Sequence, residues 1–201
     1  MSELERWETR FRAPDYIFGK EPNAFLKAHA HLLRPGQSAL SVADGEGRNG
    51  VWLAERGLDV LAIDFSGAAL AKARALANER SVRLRTEAAD VTKWRWPAAA
   101  FDVIVAIFVQ VVFAAERPAF FANMKRALKP GGHLLMQGYR VEQLAYRTGG
   151  PPEAERLYTR SILEDAFGDM TELEIREHDS AINEGTAHVG MSALIDLVGK
   201  K

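Results

Sequence analysis

The stretch Ser38-Ala-Leu-Ser-Val-Ala-Asp44-Gly-Glu-Gly-Arg-Asn-Gly50, running on through a helical pattern to Ile63-Asp-Phe-Ser66, decides the fold. Ala39, Leu40 and Val42 make a short apolar run that stops at Gly45-x-Gly47. Val51, Leu53 and Ala54 then recur at helical spacing, and a second apolar run ends in Asp64, so the order is strand, glycine turn, helix, strand. Gly45 and Gly47 can take backbone angles closed to other residues and let the main chain approach a ligand closely. The helix behind them aims unpaired N–H groups and its positive dipole end at the same spot, which favours an anionic group there. Asp64, nineteen residues past Gly45, ends the second strand, where a carboxylate can accept from both hydroxyls of a ribose. The plainer reading is a tight turn and a solvated aspartate before a helix capped by Ser66. Turn, helix and acid at βαβ spacing together favour a nucleoside site.

Two cofactor classes use such a unit. Gly45-x-Gly47-x-x-Gly50 matches the dinucleotide fingerprint and admits an NAD(P)-dependent oxidoreductase. A dinucleotide, however, needs a second mononucleotide-binding half, and downstream of Asp64 there is room for only one short α/β continuation and a β-rich tail. S-adenosylmethionine needs one ribose acid, an adenine site and a glycine turn against which its methionine tail can lie, and it fits that space. A cofactor-binding protein without turnover is the third reading.

Composition sets outer bounds. With 201 residues, 47% hydrophobic and 26% charged, the chain can bury one sizeable core. We expect residues 1–201 to form a single domain, with 1–36 as an N-terminal lid and helix and 37–201 as the cofactor-binding core. A formal charge of −1 gives no steering toward nucleic acid or an anionic membrane. The absence of cysteine removes disulfides, a thiol nucleophile and thiolate metal ligands, and no metal site is expected. The start Met-Ser-Glu-Leu-Glu-Arg lacks the basic and apolar regions of a signal peptide, and no apolar run of about 18 residues could span a bilayer. The expectation is a cytoplasmic protein, monomer or homodimer, acting on a small molecule.

Toward the N-terminus, Trp7, Phe11, Tyr16, Ile17 and Phe18 lie among charges without a clean period, up to Gly19. Pro22 opens an amphipathic helix in which Phe25, Leu26, His29, Leu32 and Leu33 share a face before Pro35-Gly36. This segment can fold across the cofactor mouth or plug the open end of the sheet. Arg48, in the first turn of the glycine-turn helix, opposes the helix dipole by about 0.3–1 kcal/mol. It wants an anion: a cofactor carboxylate, Asp44 or Glu46. Ser66 caps the next helix, whose buried stripe is Leu70, Ala73, Leu76 and Ala77. Val82, Leu84 and Thr86 alternate with Arg83 and Arg85, the pattern of a half-exposed edge strand.

Asp90 leaves that strand at the level of Asp64, placed to accept from an adenine amine, while Ala89 leaves room for the ring and Val91 follows. Phe101 to Val109 is nearly all apolar, as a central parallel strand must be. Its end, Ala106 to Gln110, opens onto the crevice where the acceptor enters. A helix over 114–128, a Lys129-Pro-Gly-Gly132 turn and a strand over 134–139 follow. Thr148-Gly-Gly-Pro-Pro152 reads as a loop over the crevice rim. A helix near 159–167 precedes two alternating strands, 171–182 and 186–198, joined at Asn183-Glu-Gly185 as an antiparallel hairpin.

With these features, including Leu128-Lys-Pro-Gly-Gly132 before a strand, the chain resembles the class I S-adenosylmethionine-dependent methyltransferases. Tyr16-Ile-Phe-Gly-Lys-Glu-Pro-Asn23, Gly45-Glu-Gly-Arg-Asn49, Ala106-Ile-Phe108, Thr148-Gly-Gly-Pro151 and Glu184-Gly-Thr-Ala-His-Val-Gly190 look like its tellurite-resistance and thiopurine-methyltransferase-like branch. The resemblance implies a Rossmann-like α/β fold: a seven-stranded, mostly parallel sheet with helices on both faces, only the last strand antiparallel. It implies cofactor contacts at Ala43, Asp44, Gly45, Asp64, Phe65, Ala89, Asp90 and Ala106, with Tyr16, Phe18 and Gly19 covering the cofactor. Gly47, Arg48, Ser66 and Val91 complete the expected set. Ser41 and Ala43 stand where the family usually has an acid and a glycine, so the ammonium end of the cofactor lacks one charged partner. Gln110 stands where relatives often place a histidine.

The sulfonium methyl is already activated, so the protein must mainly hold an acceptor lone pair in line with it in a water-poor site. Base candidates are His188, Tyr139 and His133, the last away from the carboxyl ends of the strands. Since Gln110 removes an obvious base, the expected acceptor is soft: a thiol, a selenide or a tellurite-like chalcogen oxyanion.

Overall fold

The computed structural model describes residues 2–201. Strands β1 (Ser38–Val42), β2 (Asp59–Asp64), β3 (Arg85–Ala88), β4 (Phe101–Ile107), β5 (Leu128–Tyr139), β6 (Thr171–Glu184) and β7 (His188–Lys200) form one sheet. Their order is β3-β2-β1-β4-β5-β7-β6. β1 to β5 pair in parallel, and β7 runs antiparallel to both β5 and β6. This is the Rossmann-like, mostly parallel sheet with a closing antiparallel hairpin that the sequence predicts.

The central strands are apolar on both sides because helices cover both sides. Along β4, Val103, Val105 and Ile107 face one core with Leu53 of α3 (Arg48–Glu55) and with Phe25 and Leu26 of α2 (Ala24–Ala28). Ile104 and Ala106 face the other, with Phe120, Phe121 and Met124 of α5 (Arg117–Ala127) and Leu163 and Phe167 of α7 (Arg160–Phe167). α4 (Gly67–Glu79) lies beside α3, and Ser66 caps it by accepting from Ala69 N (3.1 Å). A short α6 (Gln143–Tyr146) follows β5. Among the described residues no helix is long and apolar enough to cross a membrane.

Four local expectations change. Residues before Phe11 form a helix, α1 (Glu3–Phe11), opened by a capping box between Ser2 and Glu5. The helix expected from Pro22 to Leu33 breaks into α2 and a 3-10 turn at Ala30–Leu32. Pro35 disfavours helical angles at Arg34, and the preceding turn tightens into i→i+3 bonds. β3 begins only at Arg85, because Val82 and Leu84 pack against Val51, Leu76 and Ala77 as loop residues. Finally, Lys129-Pro-Gly-Gly132 loops out of β5. Phe101 pairs with Leu128 but Val103 with His133, and Gly131, at φ +79°, sends its N–H to Lys201 O (2.7 Å).

Candidate active site

The chain leaves the edge at β3 and re-enters beside β1 as β4, so β1 and β4 flank the switch point whose crevice opens at their carboxyl ends. Both strand ends leave the usual backbone regions: Ala43 has φ +45° and Phe108 φ +55°. Gly45 (φ +60°) continues the turn. Its N–H donates to Asp64 Oδ2 (2.9 Å), while Ser66 N donates to Asp64 Oδ1 (2.9 Å). Burial outweighs those bonds and pushes the Asp64 carboxyl up to about 6.

Asp44 turns into the protein. It accepts from Ser41 Oγ (2.5 Å) and from Gly50 N (3.1 Å) in the first turn of α3, and burial pushes it up to about 7. Gly47, at φ +92°, has a different task from Gly45. A Cβ there would come within 2.6 Å of Ala73 Cα, so this glycine lets α3 and α4 approach.

Three adjoining cavities occupy the crevice, and Phe108 lines all three. The first, of about 240 Å³, is bounded by Ala43, Gly45, Asp64, Phe65, Ala89, Asp90 and Val91, and roofed by Trp7 and Phe11 of α1. Asp90 is held in an Asx turn, accepting from Thr92 N (3.0 Å) and Thr92 Oγ1 (2.7 Å). A second, of about 50 Å³, lies among Phe18, Asp44, Arg48, Asn49 and His188. The third, of about 220 Å³, lies among α1, Gln110, Tyr139, the Gly150-Pro151-Pro152 loop, Arg156 and His188. Tyr16, Gly19, Gly47, Ser66 and Ala106 line none of these. Tyr16 and Ser66 hold the frame instead: Tyr16 OH donates to Lys72 O (3.0 Å), and Ser66 Oγ donates to Glu8 Oε1 of α1 (2.9 Å).

Arg48 forms an ion pair with neither Asp44 nor Glu46. Its Nη2 donates to Glu184 Oε2 (2.7 Å), at the end of β6, and both side chains are buried. Glu184 also accepts from Asn23 Nδ2 (3.0 Å). Burial works against the Glu184 anion, but neighbouring His188 and Arg48 outweigh it and hold the carboxyl at about 2. His188 Nδ1 lies 3.9 Å from the same carboxylate, and the ring is packed among Phe18, Phe108 and Tyr139. Burial lowers the His188 pKa against the opposing effect of Glu184. Tyr139 moves the other way: burial, reinforced by Glu184, raises its hydroxyl, which stays protonated and acts as a donor rather than a base. Gln110 is a clamp, donating to Tyr139 O (2.9 Å) and Arg156 O (3.1 Å) and accepting from Tyr139 N (2.7 Å). His133 sits at the far end of β5.

The sequence reading omits Trp7, Phe11, Phe108, Arg156 and Glu184 from the site residues. The Ser2-x-x-Glu5 capping box could have placed α1; nothing local marks Glu184 as the partner of a residue 136 positions away.

Residues 39–132 match a protein family described as a methyltransferase domain. Phosphoethanolamine N-methyltransferase 3 of Arabidopsis thaliana is 34% identical over 108 residues, covering 53% of this chain and 22% of that protein. The chain thus spans about a fifth of the length of this curated relative. A phosphoethanolamine methyltransferase 2 of Haemonchus contortus, solved with phosphomonomethylethanolamine and S-adenosylhomocysteine, has a TM-score of 0.74 at 19% identity, covering 96% of this chain and 57% of that one. TehB from Haemophilus influenzae has a TM-score of 0.70 at 15% identity, covering 98% of this chain and 66% of that one. These likenesses in structure establish the fold.

Proposed function

We propose that this chain is an S-adenosylmethionine-dependent methyltransferase that moves a methyl group to a small-molecule acceptor, with S-adenosylhomocysteine as the second product. The observation that carries the reading is Asp64: a buried carboxylate at the tip of β2, fixed by Gly45 N and Ser66 N and facing a cavity of about 240 Å³. That fits a nucleoside sugar. Asp90 lies at the adenine end, and Ala89 keeps that end open. The methionine tail fits the smaller cavity against Gly45, where Phe18, Ala43, Asp44 and Arg48 gather. Helix α1, tied by Glu8 to Ser66 Oγ and to Ala68 N (3.2 Å) at the start of α4, is the lid.

S-adenosylmethionine supplies an activated methyl on a sulfonium. The protein excludes water with Trp7, Phe11, Phe18 and Phe108, and it holds the acceptor in line with the methyl. With the cofactor bound there, the acceptor lone pair held by these residues would form the new bond to the methyl, while the sulfur–methyl electron pair would stay on sulfur. With Gln110 engaged on three sides and Tyr139 held protonated, His188 is the base in reach. A soft acceptor that arrives already deprotonated, a thiolate, selenide or tellurite-like oxyanion, needs none. This reading places the chain in the tellurite-resistance and thiopurine-methyltransferase-like branch, acting in the cytoplasm as a monomer or homodimer. The name of the plant relative favours a second acceptor, an amine, for which His188 would take the proton.

Calorimetry with S-adenosylhomocysteine and with NAD tests the cofactor. Binding of NAD alone would restore the oxidoreductase reading. Release of S-adenosylhomocysteine across thiols, selenite, tellurite and amines tests turnover. Binding without product from any acceptor would leave a cofactor-binding protein.

A further inference from the structure

The first and third cavities meet at Phe108 and Val111, yet their charges are opposite. The first is lined by four carboxylates, Glu3, Asp64, Asp90 and Glu116, and by no lysine or arginine. The third is lined by Arg6, Arg10 and Arg156 against Glu3 alone. Glu3 is already engaged: its Oε1 accepts from Arg6 Nη2 (2.8 Å) and from Arg156 Nη1 (3.1 Å). No carboxylate lies within ion-pair distance of Arg10 among the described residues. Its guanidinium lies over the rings of Trp7 (5.0 Å) and Phe18 (5.6 Å). Arg6 and Arg10 stand at i and i+4 on one helix, an arrangement that costs helix stability unless something negative sits between them. Donors without partners line the same cavity. Trp7 Nε1 and Tyr139 OH are buried without a hydrogen-bond partner, and buried donors normally find an acceptor; Arg156 Nε makes no hydrogen bond either, with Glu153 Oε2 at 3.6 Å as its ion-pair partner.

We infer that the third cavity is an oxyanion-binding acceptor site: the methyl acceptor carries a carboxylate, phosphate or similar oxyanion, gripped by Arg10 with Arg6 at the mouth and by Tyr139 OH within. Guanidinium forks match such groups bidentately. The inference rests on the proposed methyltransferase reading for the name acceptor, but the anion site stands or falls on direct binding.

The test uses matched probes: 3-mercaptopropionate against its methyl ester, and phosphoethanolamine against ethanolamine. Each is titrated calorimetrically into the full-length protein, free and loaded with S-adenosylhomocysteine. The anionic member of at least one pair should bind ten times more tightly or better. Arg10→Gln should erase that preference and Arg10→Glu should invert it, with the two members of each pair compared within the same variant so that any shift in S-adenosylhomocysteine affinity cancels. Arg10 is exposed, so both variants should fold, which circular dichroism checks. In turnover, Arg10→Gln should raise KM for the anionic acceptor with little change in kcat. Equal binding within every pair, no binding by any probe, or a preference that survives both Arg10 substitutions overturns the inference. Loss of S-adenosylhomocysteine binding in the wild type would sink the methyltransferase reading while the free-protein titrations still decide this one.

Discussion

The two halves of the crevice share one wall and are built in opposite ways. On the β1–β2 side, carboxylates are fixed by backbone N–H groups, so the polar groups are preorganised by the strand ends. On the α1–β5 side, polarity comes from arginines on a helix and a loop; the strands contribute only Tyr139 and His188, and Gln110 comes from the segment after β4. A site held by main chain is rigid and suits a constant ligand; a site carried by side chains on α1 and the 150–156 loop can be retuned without touching the sheet. On this view the proposed cofactor half is the fixed part of the molecule, and the proposed acceptor half the adjustable one.

The sharpest way to break the comparison is Asp64→Ala. It removes a charged acceptor from two backbone donors and from the proposed ribose. S-adenosylhomocysteine affinity should fall by about a hundredfold or more, read by calorimetry. Retained affinity would mean that the β2 tip does not hold the sugar.

Next in size is Glu184→Ala, at the junction of the halves. Arg48 would be left buried without its partner, which costs about 3 kcal/mol in urea unfolding; Glu184→Gln, which keeps an acceptor for Asn23 and Arg48, should cost less. If instead Arg48 waits for a cofactor carboxylate, stability would barely move and S-adenosylhomocysteine affinity would change alone.

How much of this was readable differs between the halves for a physical reason. The β1–turn–α3–β2 unit is local: an apolar run, two glycines and an acid within 27 residues of Ser38 carry their own conformational signals. The hairpin and the rim loop at Thr148–Pro152 followed from similar patterns, although the hairpin turn falls at residues 185–187 rather than at Asn183-Glu-Gly185; the strand order carries no such local signal. The acceptor half is assembled from α1, the end of β4, β5 and a loop after it, and contacts between distant segments leave no periodicity. Arg48 shows the limit well. Its need for an anion could be read from its place on the helix, but the anion that answers it is supplied by β6. Ala43 and Phe108 show another limit, since neither residue type announces a positive φ.

A smaller effect concerns pH. Burial raises Asp64 to about 6 and Asp44 to about 7, above the ordinary value of 3.8. A raised carboxyl contributes stability that is complete below 3.8 and is lost as pH rises through the folded value. The free protein should therefore lose stability from these two groups between about pH 4 and 7. Binding to the proposed ribose runs the other way, because it uses the Asp64 anion. S-adenosylhomocysteine affinity should drop about tenfold per unit below pH 6. Its thermal stabilisation of the protein should accordingly be larger at pH 7.5 than at pH 5. A flat affinity between pH 5 and 7.5 would separate Asp64 from the ligand.

The smallest expected change asks what the crevice floor costs. Ala43, at the end of β1, holds φ +45°, where an L side chain carries about 1–2 kcal/mol of strain. Glycine would relieve this but would lose more chain entropy on folding, about 0.5–1 kcal/mol. Ala43→Gly should then stabilise the protein by roughly 0.5–1 kcal/mol in urea unfolding. Because Ala43 lines both the first and second cavities but not the third, any change in ligand binding should fall on S-adenosylhomocysteine and leave the preference for anionic probes as it was. If that preference shifts as well, the halves are coupled through Phe108, and the division between a fixed cofactor side and an adjustable acceptor side fails at the wall they share.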